Sequence, residues 1–269
     1  MIIRRSTAQV RPGMLDEFRA FIEGGITEFA SLDGFLGDEI VVGPDTLTYV
    51  SRWRDTAALA GYAGPGWRTE PVVLDDEDRF LREPLRVRHV ELRPATAGDA
   101  PAIAVVWHTG WGDGHRGLVP PELERVRTRE SFGPRAADRV PGTTVAVVGA
   151  VVGEGVPGVG VAGFVTVHGD EVEQVHVSAA HRGSGIATDL LSDGEHRVAA
   201  AGHSEAWLAV VAGNARALRF YERQGWSDAG PLDYWTDTAE GPVLVPVRRY
   251  VKRLVDRPAS SASTARSGR

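Results

Sequence analysis

Cysteine is absent from the 269 residues, which removes disulfides, thiolate metal sites and a thiol nucleophile together. Such a chain gains nothing from an oxidising compartment, so the cytoplasm is the expected location. Lysine is almost absent too. Lys252 stands alone among 30 basic residues, and 36 acidic ones leave a net charge of −6. No broad basic field remains to hold a nucleic-acid backbone, so nucleic acid is not an expected partner. No apolar run approaches the ~20 residues of a bilayer span. The opening "MIIRRSTAQVRPG" alternates like a strand where a secretion signal would run into an apolar core, so no membrane partner is expected either. Histidine is missing from the first 88 residues, and all eight lie from His89 onward. Histidine chemistry therefore belongs to the second part; His176 and His181 have no second ligand at helical or finger spacing, and no metal is expected.

A chain of this length is expected to form two domains, and "LREPLRVRHVELRPATAGDA" contains the boundary. In the first part, residues 2–11 read as a strand. Leu15, Phe18, Ile22, Ile26 and Phe29 then form the apolar stripe of a helix. "FLGDEIVV", "GPD" and "TLTYVSRW" read as a hairpin, and a short helix near residues 56–62 and a strand near 85–90 complete a β-α-β-β-α-β unit. That is a ferredoxin-like layout.

The words "GFLGDEIVV…LTYVSRWRDTAALAGY" resemble the antibiotic biosynthesis monooxygenase superfamily over residues 1–88. The resemblance implies a ferredoxin-like module that pairs through its sheet into a homodimer. It also raises the alternative of a cofactor-free oxygenase. Trp53 and Trp67 are the only tryptophans there, and no histidine accompanies them as a base. The plainer reading puts Trp53 in the core, with Trp67 capping it or lying in the dimer interface.

In the second part, residues 89–255, a strand leads through "RPATAGD" into an amphipathic helix. Further on, "RGSGIA" separates a strand from a helix near residues 186–200. Gly183 and Gly185 let successive N–H groups converge on one point, and the helix brings its positive end to that point. A pyrophosphate would fit there, with Arg182 at the rim. The loop is not a Walker loop, lacking the lysine, and it lacks dinucleotide spacing. By itself it also fits a plain strand-to-helix turn.

Three segments in order, "RPATAGDAPAIAVVWHTGW…HRGLVP", "VHVSAAHRGSGIATDLL" and "VAGNARALRFYERQGW", resemble the GNAT superfamily of acetyl-CoA-dependent N-acetyltransferases over about residues 89–230. The family's R-x-x-G-x-A element falls on Arg182, Gly185 and Ala187, and its N-x-x-A-x-x-x-Y element on Asn214, Ala217 and Tyr221.

The resemblance implies an α/β (α+β) protein in which a mixed-sheet GNAT domain follows the ferredoxin-like one. It implies acetyl-CoA as cofactor, with the pyrophosphate on Arg182, Gly183, Ser184, Gly185, Ile186 and Ala187. The pantetheine would lie along Val175 and Val177 and against Asn214 and Ala217. Asn214 also reads as a helix N-cap, and the two roles are compatible.

Tyr221 would protonate the departing thiolate, unless it only packs in the core. Glu171 and Glu173 would share the role of base, either directly or through water, unless they form a solvated strand end. Strict alternation places both glutamates on one strand face and His176 on the other. The acceptor, a small-molecule primary amine such as a secondary metabolite, would meet Trp107, Trp111, Asp113, His115, Tyr234 and Trp235, unless these residues are ordinary packing. A CoA-binding sensor without turnover is the rival reading. "RPASSASTARSGR", within residues 256–269, has no apolar content and is expected to be disordered.

Overall fold

The computed structural model describes residues 1–26, 29–149 and 160–254. The expected disordered tail at 256–269 and most of the "EGVPGVG" segment lie outside the described residues.

The first six elements are β1 (Ile2–Gln9), α1 (Leu15–Gly25), β2 (Phe35–Val42), β3 (Thr46–Trp53), α2 (Thr56–Ala63) and β4 (Arg86–Pro94). Phe18 and Ile22 of the predicted stripe bury α1 against Ala8, Leu47 and Phe80. Asp55 caps α2, its carboxylate accepting the Ala58 N–H at 2.8 Å. β1 is central, antiparallel to β3 on one side and to β4 on the other.

β4 is also the first strand of the second part, because its other edge pairs with β5 (Thr143–Val148) from Val90↔Val148 to Pro94↔Thr144. The expected boundary at 88/89 thus falls inside a strand hydrogen-bonded on both sides. The elements that follow β4 are α3 (Ala100–His115), α4 (Pro121–Val126) and α5 (Phe132–Arg139) before β5. After it come β6 (Gly160–His168), β7 (Glu171–Val177), α6 (Ile186–Ala200), β8 (Glu205–Val211), α7 (Ala215–Arg223), β9 (Ser227–Thr236) and β10 (Val243–Arg253). All strands join one mixed sheet in the order β2-β3-β1-β4-β5-β6-β7-β8-β10-β9. Among the described residues no helix is long and apolar enough to cross a membrane.

Two helical layers cover the second part. Trp107 of α3 and Phe132 of α5 pack with Val145 and Phe164 on one face. Leu190, Leu191 and Val198 of α6 pack on the other. This second core extends into the first part through Ile3 of β1 and Val50 of β3. Alternation puts Arg5 and Arg52 on the same face, and both reach Asp189 of α6. The sheet face opposite α1, through which pairing of two chains was expected, is therefore packed against α6 of the same chain.

Trp53 is fully buried, and Trp67 is buried against Ile2 and Leu59. Behind the sheet lies a cavity of about 40 Å³ lined by Phe18, Ile22, Tyr49, Tyr62 and Glu77. That is far below the roughly 300 Å³ at which small-molecule pockets begin.

Candidate active site

β7 and β8 run parallel but pair at Glu171↔Trp207 alone, so the sheet splits beyond that point. The split opens a cleft of about 840 Å³ between α3, β7, the 181–188 turn, β8, α7 and the end of β9. Its size matches a small-molecule or cofactor site.

One end of the cleft is the glycine turn. Gly183 (φ +74°) and Gly185 (φ +87°) both sit in the left-handed region, which costs glycine nothing. Gly185 is the N-cap of α6 and offers no side chain, so the first amides of the helix stay uncovered. Arg5 Nη2 would lie 2.7 Å from a Cβ placed on Gly185, so the guanidinium from β1 backs the turn directly. Arg5 is also ion-paired to Asp189 one helical turn further on. The expected rim charge of Arg182 is ion-paired to Asp113 of α3. Ser184 turns its hydroxyl to the His181 carbonyl at 2.6 Å and does not line the cleft, while Gly183, Gly185, Ile186 and Ala187 do.

The middle of the cleft is bounded by α7. Asn214 caps this helix, its Oδ1 accepting the Ala217 N–H at 3.1 Å. Tyr221 lines the cleft between Phe220 and Trp226, and burial pushes its phenol well above the ordinary range. Opposite, Val175 and Val177 belong to the stretch of β7 that has left β8.

The other end holds the carboxylates. In the β6–β7 ladder Val167 faces Val172 while Thr166 faces Gln174, which leaves Glu173 as an extra residue, a β-bulge. The bulge corrects the expected facing of His176. Simple alternation sets it opposite the glutamates, but the extra residue returns it to the α3 side. There its ring packs 5.5 Å from Phe164 and 6.4 Å from Trp107. Desolvation lowers its pKa to about 3, and it is hydrogen-bonded to Gln174 Oε1 at 3.0 Å.

Glu173 and Glu171 differ sharply. Glu173 takes three bonds from Arg139, at 2.6, 2.8 and 3.1 Å. Among the described residues the Glu171 carboxylate accepts only the Tyr234 hydroxyl, at 3.2 Å. Burial first, and Glu173 second, raise its pKa to about 7.

Trp107, Trp111, His115, Tyr234 and Trp235 all border the cleft, whereas Asp113 does not. Trp111 stacks on His115 at 4.9 Å and 8°, and burial lowers the His115 pKa. Trp107 lies mainly in the core, and Trp235 is largely exposed. The sequence reading missed Arg127, Arg135 and Arg139, which line the same end. It also missed His89, which meets Trp67 edge-on at 5.0 Å and pairs with buried Arg4 at 3.1 Å. Among the described residues no three His, Asp or Glu side chains cluster as metal ligands would.

A wedge-shaped split in a mixed sheet, with a bare helix N-terminus at one end and a carboxylate at the other, suits an extended anionic cofactor and proton transfer. Residues 120–226 match the model of the acetyltransferase (GNAT) family. That segment is a GNAT acetyltransferase domain.

Solved GNAT structures are similar to this chain at low identity. A GCN5-related N-acetyltransferase from Rhodopseudomonas palustris is 18% identical, covering 61% of this chain and 95% of its own, with a TM-score of 0.47. The PaiA N-acetyltransferase of Thermoplasma acidophilum, solved with coenzyme A, is 16% identical over 61% of this chain and 98% of its own, with a TM-score of 0.43. YncA of Salmonella typhimurium, a putative acetyltransferase solved with acetyl-CoA, is 18% identical over 64% and 98%, with a TM-score of 0.44. No curated protein matches the chain.

Proposed function

We propose that the protein transfers the acetyl group of acetyl-CoA to a primary amine of a small molecule by direct attack. The observation that carries this reading is the cleft itself, opened where β7 leaves β8, with the α6 turn at one end and Glu171 at the other. When bound, acetyl-CoA supplies the activated acyl group. The amides from Arg182 to Ala187 face its pyrophosphate, and the free edge of β7 at Val175 and Val177 faces the pantetheine, with Asn214 and Ala217 across from it.

Glu171 takes a proton from the amine as its lone pair adds to the thioester carbonyl. Collapse of the adduct would break the C–S bond, Tyr221 would give its proton to the thiolate, and the proton taken by Glu171 would restore the phenol through solvent. Glu173, held by Arg139, makes Glu171 more basic by its charge.

The test is thiol release from acetyl-CoA against a panel of amines. Release supports the reading. Binding without release for any amine favours a CoA sensor, and absence of CoA binding overturns the cofactor placement.

The β2-β3-β1-β4 order supports reading the first part as a ferredoxin-like unit joined to the acetyltransferase domain. Its 40 Å³ interior gives it a structural role in preference to an oxygenase one. Oxygen uptake by the full chain would reverse that assignment. Pairing of two chains falls to the outer strand β2, where Leu36, Val41 and Val42 are exposed. Sedimentation at several concentrations measures it. The cytoplasm remains the proposed location.

A further inference from the structure

Two arginines at the acceptor end of the cleft have no carboxylate to meet. Arg127 is only 8% exposed, yet its Nη2 reaches just the Thr236 hydroxyl at 2.8 Å and the Asp237 carbonyl at 3.4 Å. Arg135 donates to the same carbonyl at 2.8 Å. Arg125 and Arg139, their neighbours on α4 and α5, are ion-paired to Glu240 and Glu173. Among the described residues no such pair forms for Arg127 or Arg135. Burial first, then the nearby arginines, lowers the pKa of Arg127 to about 10, and the same causes lower that of Arg135. Asp237 and Glu173 offset Arg135 only in part. A guanidinium taken out of water without a counter-ion is a poor way to brace a loop, and an arriving anion would relieve it.

One strand links these arginines to the chemistry. Tyr234, which holds Glu171, and Thr236, which holds Arg127, are two residues apart on one face of β9, about 7 Å along the strand. An amine at Glu171 and an anion at Arg127 can therefore belong to one small molecule. The stacked Trp111 and His115 wall the same space, so the body between the two groups meets aromatic surface.

We propose that the acceptor is an amine that also bears a carboxylate, of amino-acid type, held by Arg127 and Arg135 while its amine meets Glu171. This rests on the acetyltransferase reading above. It is tested by thiol release from acetyl-CoA with the twenty common L-amino acids, each beside its own carboxamide. For at least one amino acid the acid is expected to exceed its amide at least tenfold in kcat/KM, mostly through KM.

Arg135→Gln is expected to raise KM for that acid about tenfold. It should leave KM for acetyl-CoA unchanged, which also shows that the variant is folded, and lower kcat/KM for the acid far more than for the amide. Arg127→Lys, which keeps charge and loses the planar fork, should fall between the two. Acids and amides used equally, or a variant that lowers both alike, overturns the proposal. So does turnover of uncharged amines only, or acetyl-CoA binding with no amino acid acetylated. Failure of the wild type to bind acetyl-CoA overturns instead the reading on which it rests.

Discussion

Glu171 and Glu173 are one residue apart, yet their surroundings give them opposite characters. Three bonds from Arg139 commit Glu173, whereas Glu171 is desolvated beside it and its pKa rises to about 7. A base must be ionised to act, so kcat/KM is expected to be low under acid conditions, to rise through about pH 7 and then to level off. Glu171→Gln should remove that rise and lower kcat by about 10²–10⁴-fold, the usual size of general-base assistance. A weakly basic amine, already neutral at pH 6, separates this limb from titration of the acceptor. A limb that persists in Glu171→Gln would assign it elsewhere. The phenol of Tyr221, raised by burial, stays protonated across this range. Tyr221→Phe should therefore lower kcat without changing the Kd for CoA, and unchanged kcat would reduce Tyr221 to packing.

At the scale of elements, the N-terminus of α6 is held from behind by the first part of the chain. Gly185 combines a left-handed backbone with an Arg5 guanidinium where its Cβ would be. Gly185→Asp would meet that guanidinium and set a negative charge at the expected phosphate site, so CoA binding should be lost by calorimetry. Asp189, buried in the first turn of α6, is neutralised by Arg5, with Arg52 at 3.7 Å. Removing one partner of such a buried pair costs about 3–5 kcal/mol, whereas removing both costs less. Arg5→Met should thus lower the thermal midpoint by more than Arg5→Met with Asp189→Asn does. An equal loss in both would show that the pair carries no coupling. The bulge at Glu173 is the other decisive element, because it gathers Glu171, Glu173 and His176 on the α3 side.

Across the whole molecule, one sheet and one core run through both parts. β4 is hydrogen-bonded to β1 and to β5, and Ile3 and Val50 complete the core beneath Leu190. A chain cut to residues 89–269 would expose one edge of β4 and that apolar floor. It is expected to melt well below the full chain or to aggregate, and equal melting temperatures would show two independent units.

Much of this plan was legible in the sequence. The stripe at Phe18 and Ile22 marked α1, and "RGSGIATDLL" marked both the turn and the start of α6, because glycine and apolar period are local signals. The boundary at 88/89 falls inside β4, and no local signal distinguishes a strand paired on one edge from a strand paired on both. His176 was set on the wrong face because alternation counts residues, and a bulge adds one that only the partner strand reveals. Arg127 and Arg135 carry no motif, being two arginines among 29. His89 was set in the second part by its number and belongs with Trp67 by its packing.

By itself, then, the sequence determined the helices and strands of the first part, the glycine turn with the helix after it and the kinds of residue able to bind an anion or move a proton, all of which depend on neighbours along the chain. Tertiary structure alone decided which glutamate escapes an ion pair, which arginines meet no carboxylate among the described residues and that the two parts share one sheet. Charge, burial and strand pairing depend on what lies across space, and residues such as Arg5 and Asp189, 184 positions apart, meet only when the chain is folded.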